Sequence, residues 1–152
     1  MNRLTSEQRT SVNSCLIEGC SIRSTVRMTG VAKMTVMRLL VECGAFCSDY
    51  QDRVFRNLEC QRIQVDEMWS FVYAKQKNVT PEIASAHVAG DAWLWVAIDA
   101  DTKLVPTWLV GQRDAIAATQ LIADLEKRPA NRVQLTTDGF KLYLNAPIDA
   151  FG

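Results

Sequence analysis

The stretch Gln61-Arg62-Ile63-Gln64-Val65-Asp66-Glu67-Met68-Trp69-Ser70-Phe71-Val72-Tyr73 alternates along its length. Ile63, Val65, Trp69, Phe71 and Tyr73 fall on one face at period two. Gln64, Asp66, Met68 and Ser70 fall on the other, which predicts a half-buried strand with Asp66 near its centre. Glu67 falls on the face opposite Asp66. An acid inside an otherwise apolar strand is the feature from which the rest of the chain is read.

Downstream, residues 74–90 read as a loop rich in Lys, Asn and Pro. Trp93 to Asp99 predicts a second strand and Asp99-Ala100-Asp101-Thr102 a turn, with both aspartates expected in solvent. Leu104 to Val110 predicts a third strand, placed at a sheet edge or on a bulge by Pro106. Asp114 caps a helix over Ala115 to Lys127, with an apolar stripe of Ala118, Leu121, Ile122 and Leu125. A fourth strand, Arg132 to Thr137, runs directly into Asp138. The order is therefore β-β-β-α-β in an α/β unit, a meander followed by a crossover to a strand parallel to the first.

If the first and fourth strands are neighbours, Asp66 and Asp138 converge at one end of the sheet. Two carboxylates suit Mg²⁺, which takes few protein oxygens and completes its shell with water and substrate phosphate. Two such ions clamp the attacking and leaving oxygens of a phosphodiester displacement. The alternative is that each acid is a turn or edge residue that never meets a metal.

Upstream, the first 47 residues predict three short helices. Thr5 and Gln8 form a capping box, Ser21 caps a second helix from Ile22 to Met28, and Gly30 supplies a tight turn. A third helix is expected from about Val31 to Cys43, closed by Gly44, with Val36, Leu39, Leu40 and Cys43 on its core face. Its outer face carries Met34, Met37, Arg38 and Val41, flanked by Lys33 and Thr35. A short helix bearing Arg23 and Arg27, a glycine turn and a cationic second helix make a helix-turn-helix pattern, whose last helix fits a major groove. The expected DNA contacts are Arg23, Arg27, Lys33, Met34, Thr35 and Arg38. A plain three-helix bundle used for protein contacts is the other reading. The expected division is a module over 1–50, a polar linker over 51–59 and a second domain over 60–152.

The charge balance supports two parts of different character. The 152 residues carry seventeen basic and seventeen acidic side chains. Residues 1–64 hold nine Lys/Arg against six Asp/Glu, however, and residues 65–152 hold eight against eleven. No apolar run approaches the ~20 residues that span a bilayer, and the first residues lack a signal-peptide core, so a soluble cytoplasmic chain without membrane partners is expected. Five cysteines, at 15, 20, 43, 47 and 60, read as reduced thiols. A zinc site from Cys43, Cys47, Cys60 and His87 would depart from the usual C-x2-C spacing.

The segment Val65-Asp66-Glu67-Met68-Trp69-Ser70-Phe71-Val72 resembles the D-E-x-W-S-F-V segment of bacterial insertion-sequence DDE transposases. The similar class pairs a helix-turn-helix with an RNase H-like core. Trp93-Leu94-Trp95-Val96-Ala97-Ile98-Asp99 resembles the second strand of that class, and Thr137-Asp138-Gly139-Phe140-Lys141-Leu142-Tyr143-Leu144 its segment with the second aspartate. The resemblance implies an RNase H-like mixed sheet. It also implies that Asp66 and Asp138 hold Mg²⁺ or Mn²⁺, activating water and then a DNA 3′-hydroxyl for strand cleavage and transfer. The helical module would hold the double-stranded terminal repeats, and a second copy or a full-length transposase is the implied protein partner.

One departure stands out. The family's third carboxylate is a glutamate in a Y-V-E-R-Q-N-like segment well downstream, whereas here Gly152 follows Asp138 by fourteen residues and Asp149 lacks that context. The expectation is a truncated, catalytically impaired transposase with an apolar sheet face left uncovered. The competing functions are a non-enzymatic DNA-binding regulator that uses the helix-turn-helix, and a structure-selective nuclease of RNase H type.

Overall fold

The computed structural model describes residues 3–138, and the chain divides into two compact units, Met1–Val54 and Phe55–Gly152. Among the described residues no helix is long and apolar enough to cross a membrane.

The first unit is all-helical. Helix α1 (Ser6–Ile17) opens on a complete capping box: the Thr5 hydroxyl accepts from the Gln8 N–H, and the Gln8 side chain accepts from the Thr5 N–H. Helix α2 (Ile22–Thr29) starts at Ser21, whose hydroxyl accepts from the Ser24 N–H. It ends at Gly30, whose φ of 69° is the left-handed conformation that glycine adopts without a Cβ penalty. Helix α3 spans Lys33–Val54. Val12, Val31, Val36 and Leu39 form the buried core, packed round by Leu16, Ile22, Val26 and Cys43.

Two expectations are corrected here. Leu40 is 43% exposed and lies outside the core, because Val36, Leu39 and Cys43 already fill the inner face. Helix α3 also continues through Gly44 to Val54, so residues 51–54 of the expected linker are helical. A mid-helix glycine costs only about 1 kcal/mol, and no proline follows it before Pro81. The next turns carry their own support, a Phe46–Tyr50 ring pair at 6.3 Å and an Asp49–Arg53 ion pair at 2.9 Å, each at i,i+4 spacing.

The second unit is a mixed α/β layer. Its strands are β1 (Arg62–Val72), β2 (Gly90–Asp99), β3 (Thr107–Gly111) and β4 (Gln134–Thr137), in the order β3-β2-β1-β4. β1 pairs antiparallel with β2 and parallel with β4, and β2 pairs antiparallel with β3. Pro106 stands just before the edge strand β3, where its missing N–H removes no ladder bond. The expected loop 74–90 contains a 3₁₀ turn, Gln76–Asn78, and helix α4 (Pro81–Ala86), capped by Thr80 with Pro81 in its first turn. A six-residue helix is too short to leave an apolar period in the sequence.

Gly90 closes the β1–β2 connection. Its φ is 119°, and a Cβ there would meet the Gln76 side chain at 2.3 Å. Only glycine fits without displacing Gln76.

Helix α5 (Ala115–Leu125), capped by Asp114 through the Ala117 N–H, covers one face of the sheet. Ala117, Ala118, Leu121, Ile122 and Leu125 pack on Ile63, Val65, Trp95 and Ala97. Each large apolar side chain buried here contributes about 1.5–3 kcal/mol. The alternation in β1 thus turns Asp66 to the face away from α5.

Candidate functional site

β4 pairs only with the first part of β1. Arg62, Ile63, Gln64 and Val65 stand level with Gln134, Leu135, Thr136 and Thr137. Asp66 follows Val65 within β1 and Asp138 follows Thr137 just past the end of β4, so the two aspartates come next after level residues of neighbouring strands about 4.8 Å apart. Both are exposed. On its other side Asp66 stands level with Val96 of β2, and one of its oxygens accepts from the Glu67 N–H at 2.8 Å.

The donor set is two solvent-facing carboxylates, hard oxygens with room for water, and that chemistry suits Mg²⁺ or Mn²⁺. Among the described residues no group of three or more His, Cys, Asp or Glu side chains is placed to share a metal ion. Asp149 lies outside the described residues.

Neighbouring acids are committed elsewhere. The Glu67 side chain is 1% exposed and lies on the α5 side of the sheet, where Oε2 accepts from the Arg113 guanidinium at 3.1 and 3.2 Å. Its Oε1 is buried with no hydrogen-bond partner among the described residues. The Arg113 guanidinium lies 4.9 Å over the Trp93 ring. Sequence reading places Glu67 on the correct face but misses this pair, since Arg113 arrives from a loop 46 residues away.

The expectation of a solvated Asp99 is corrected: it is 1% exposed, and its carboxylate accepts from the Thr102 N–H and hydroxyl. The Thr102 hydroxyl holds the Asp99 carboxyl below the usual carboxylate range, against the upward push of burial. Asp101 is exposed and paired with Arg62. Cys60 belongs to the core, where burial, and then the charge of Asp99, push its thiol up. His87 stacks on Tyr73 at 4.3 Å, and Cys43 and Cys47 lie on α3 in the other unit.

In the helical unit, Arg23 and Arg27 are exposed on α2, and the Arg27 guanidinium donates to the Ser24 hydroxyl at 3.1 Å. Lys33, Met34 and Arg38 are exposed on the first turns of α3, and Thr35 is half-buried. Met34 (66%), Met37 (38%) and Val41 (71%) follow one another at i+3 and i+4 beside Arg38. An open apolar stripe bordered by cations is therefore the outer face of α3. Arg38 and Thr35 also line a cleft with Arg3, Arg9 and Glu42, and Arg9 pairs with Glu42 at 3.3 Å.

No family model matches the chain, and no curated protein matches it.

Proposed function

We propose that this chain is a DNA-binding protein of the DDE-transposase type, with a helix-turn-helix that grips duplex DNA and an RNase H-like sheet that carries a divalent-metal site. The observation that carries the reading is that Val65 and Thr137 stand level on adjoining parallel strands and each is followed by an aspartate. Asp66 and Asp138 would hold Mg²⁺ or Mn²⁺. The bound ion would supply Lewis-acid activation of water or a 3′-hydroxyl and offset charge on a phosphodiester.

The residues of the chain divide the remaining work. Asp66 and Asp138 would present carboxylate oxygens to the ion from exposed positions. Glu67 is turned away and neutralised by Arg113, so it adds no repulsion on the rim. Lys33 and Arg38, with Arg23 and Arg27, supply cations for phosphates and base edges, and the exposed apolar stripe of α3 suits the thymine methyl in a major groove.

The test is Mn²⁺ binding to the intact chain, read by electron paramagnetic resonance, together with duplex binding at several salt concentrations. The expected result is an Mn²⁺ site lost in Asp66→Asn and in Asp138→Asn but kept in Asp101→Asn. Mn²⁺ binding that ignores both substitutions would overturn the metal reading. In that event salt-dependent duplex binding alone favours the second reading, a DNA-binding regulator without catalysis, which the exposed cationic face of α2 and α3 supports.

A further inference from the structure

Beyond Val65 the edge of β1 next to β4 carries no ladder partner among the described residues, and α5 covers only the other end of this sheet face. The stretch of this face beyond α5 is aromatic. Trp69 and Phe71 follow one another on the face that holds Ile63 and Val65, and they are 44% and 43% exposed. Tyr73, expected on that face, lies past the end of β1 at a φ of 59° that breaks the alternation. Trp93 stands directly opposite Trp69 on β2. The Trp69 and Phe71 ring centroids lie 5.8 Å apart, and Lys75 Nζ sits 5.2 Å from the first and 6.0 Å from the second. Arg113 covers Trp93 in the same way, and its orientation is fixed by the buried Glu67. Asp91, opposite Phe71 on this face, accepts from the Gln76 N–H at 3.0 Å.

We propose that this cation-capped row of rings is a binding surface for unpaired nucleotides, receiving the single strand that leaves the Asp66–Asp138 rim. The inference rests on the DNA reading above and extends it to the form of the DNA.

Three arguments select this occupant. A nucleotide offers both chemistries at once, a base for the ring face and a phosphate for the displaced Lys75. An apolar helix laid on the same rings would desolvate the Lys75 ammonium, which lies over Trp69 and Phe71, without offering it a counter-charge, which is costly. A duplex presents base edges and keeps its base faces stacked inside, so the rings have nothing to stack on. Asp66 and Trp69 are three residues apart, roughly 10 Å along the strand, and among the described residues the β1 edge between them carries no ladder partner.

The experiment uses the full chain and fluorescein-labelled oligothymidine, with a labelled mixed-sequence duplex in parallel, both read by anisotropy. Trp69→Ala with Phe71→Ala is expected to weaken oligothymidine binding about 10-fold or more and to leave duplex binding unchanged. Trp69→Phe with Phe71→Tyr keeps the ring faces and is expected to retain binding, and Lys75→Glu is expected to weaken it. Arg23→Ala with Arg38→Ala is expected to spare oligothymidine binding while reducing duplex binding. The proposal is overturned if the alanine pair binds oligothymidine as the wild type does, or if the conservative pair loses as much as the alanine pair. It is equally overturned if sedimentation shows that the rings mediate self-association with no effect on oligothymidine. Duplex and Mn²⁺ binding that persist while oligothymidine binding ignores the rings remove this inference alone. Absence of both DNA forms and of Mn²⁺ binding removes the functional reading with it.

Discussion

Val65 and Thr137 stand level across parallel strands β1 and β4, and each is followed by an aspartate. The pairing matters because parallel register carries both chains in the same direction, so the two carboxylates emerge at the same rim. A shift of one residue would turn Asp66 to the α5 side and bring Glu67 to the open face.

The first prediction concerns metal affinity. Asp66→Asn and Asp138→Asn are each expected to weaken Mn²⁺ binding by about 10-fold or more, and the double substitution to be little worse than either alone. Two ligands of one ion act as a unit, so their losses do not add. Calorimetric titration with MnCl₂ measures all three. Additive losses would mean that the two carboxylates hold separate ions.

The alternation from Ile63 to Phe71 makes the faces of β1 readable, though it runs on in the sequence to Tyr73, which lies past the strand at a φ of 59°. The single crossover helix between β3 and β4 makes the β1–β4 pairing an expectation of chain order. What escapes the sequence is non-local or short. Glu67 meets Arg113 across 46 residues, and α4 has too few residues for a period to register. Gly44 reads as a helix end because glycine often is one, yet its backbone here is helical and the chain after it lacks a breaker. Asp99 reads as solvated because turn aspartates usually are, whereas Thr102 closes over it.

The second prediction concerns DNA. Arg23→Ala with Arg38→Ala is expected to weaken duplex binding and to flatten the dependence of log K on log salt by about 1 for each phosphate contact removed. Titration at several KCl concentrations measures the slope. Binding indifferent to salt and to both substitutions would point instead to a helical bundle used for protein contacts.

The third prediction sets two glycines against each other. At Gly44 an added Cβ meets nothing within 4 Å on a helical backbone, so Gly44→Ala is expected to stabilise the helical unit by about 0.5–1 kcal/mol. At Gly30 the space is equally open, but φ is 69° and a side chain there is strained by about 1–2 kcal/mol. Gly30→Ala is therefore expected to lower stability. Urea unfolding followed at 222 nm compares them, and equal signs would show that space rather than backbone conformation decides the effect.

The fourth prediction follows from a carboxylate inside the α/β unit. Asp124 Oδ2 accepts from Arg128 at 2.7 and 2.9 Å and from the Thr107 hydroxyl, and Arg128 is 5% exposed. Burial pushes the Asp124 carboxyl up, but the Thr107 and Arg128 hydrogen bonds outweigh it and hold the group below the ordinary aspartate value. A carboxyl depressed in the folded state stabilises the fold fully above its unfolded pKa of about 3.9, and the contribution fades as pH falls through the lower folded value. Asp124→Asn is accordingly expected to be less stable than the wild type at pH 7. Because the Asp124 side chain is 35% exposed, solvent screening limits the loss to about 1 kcal/mol. As pH falls below the unfolded value and through the lower folded one, the wild-type carboxylate protonates and the difference between the two proteins should shrink. Thermal melts of both proteins between pH 7 and pH 2.5 measure it. A difference that stays constant across that range would show that the substitution costs packing geometry rather than charge.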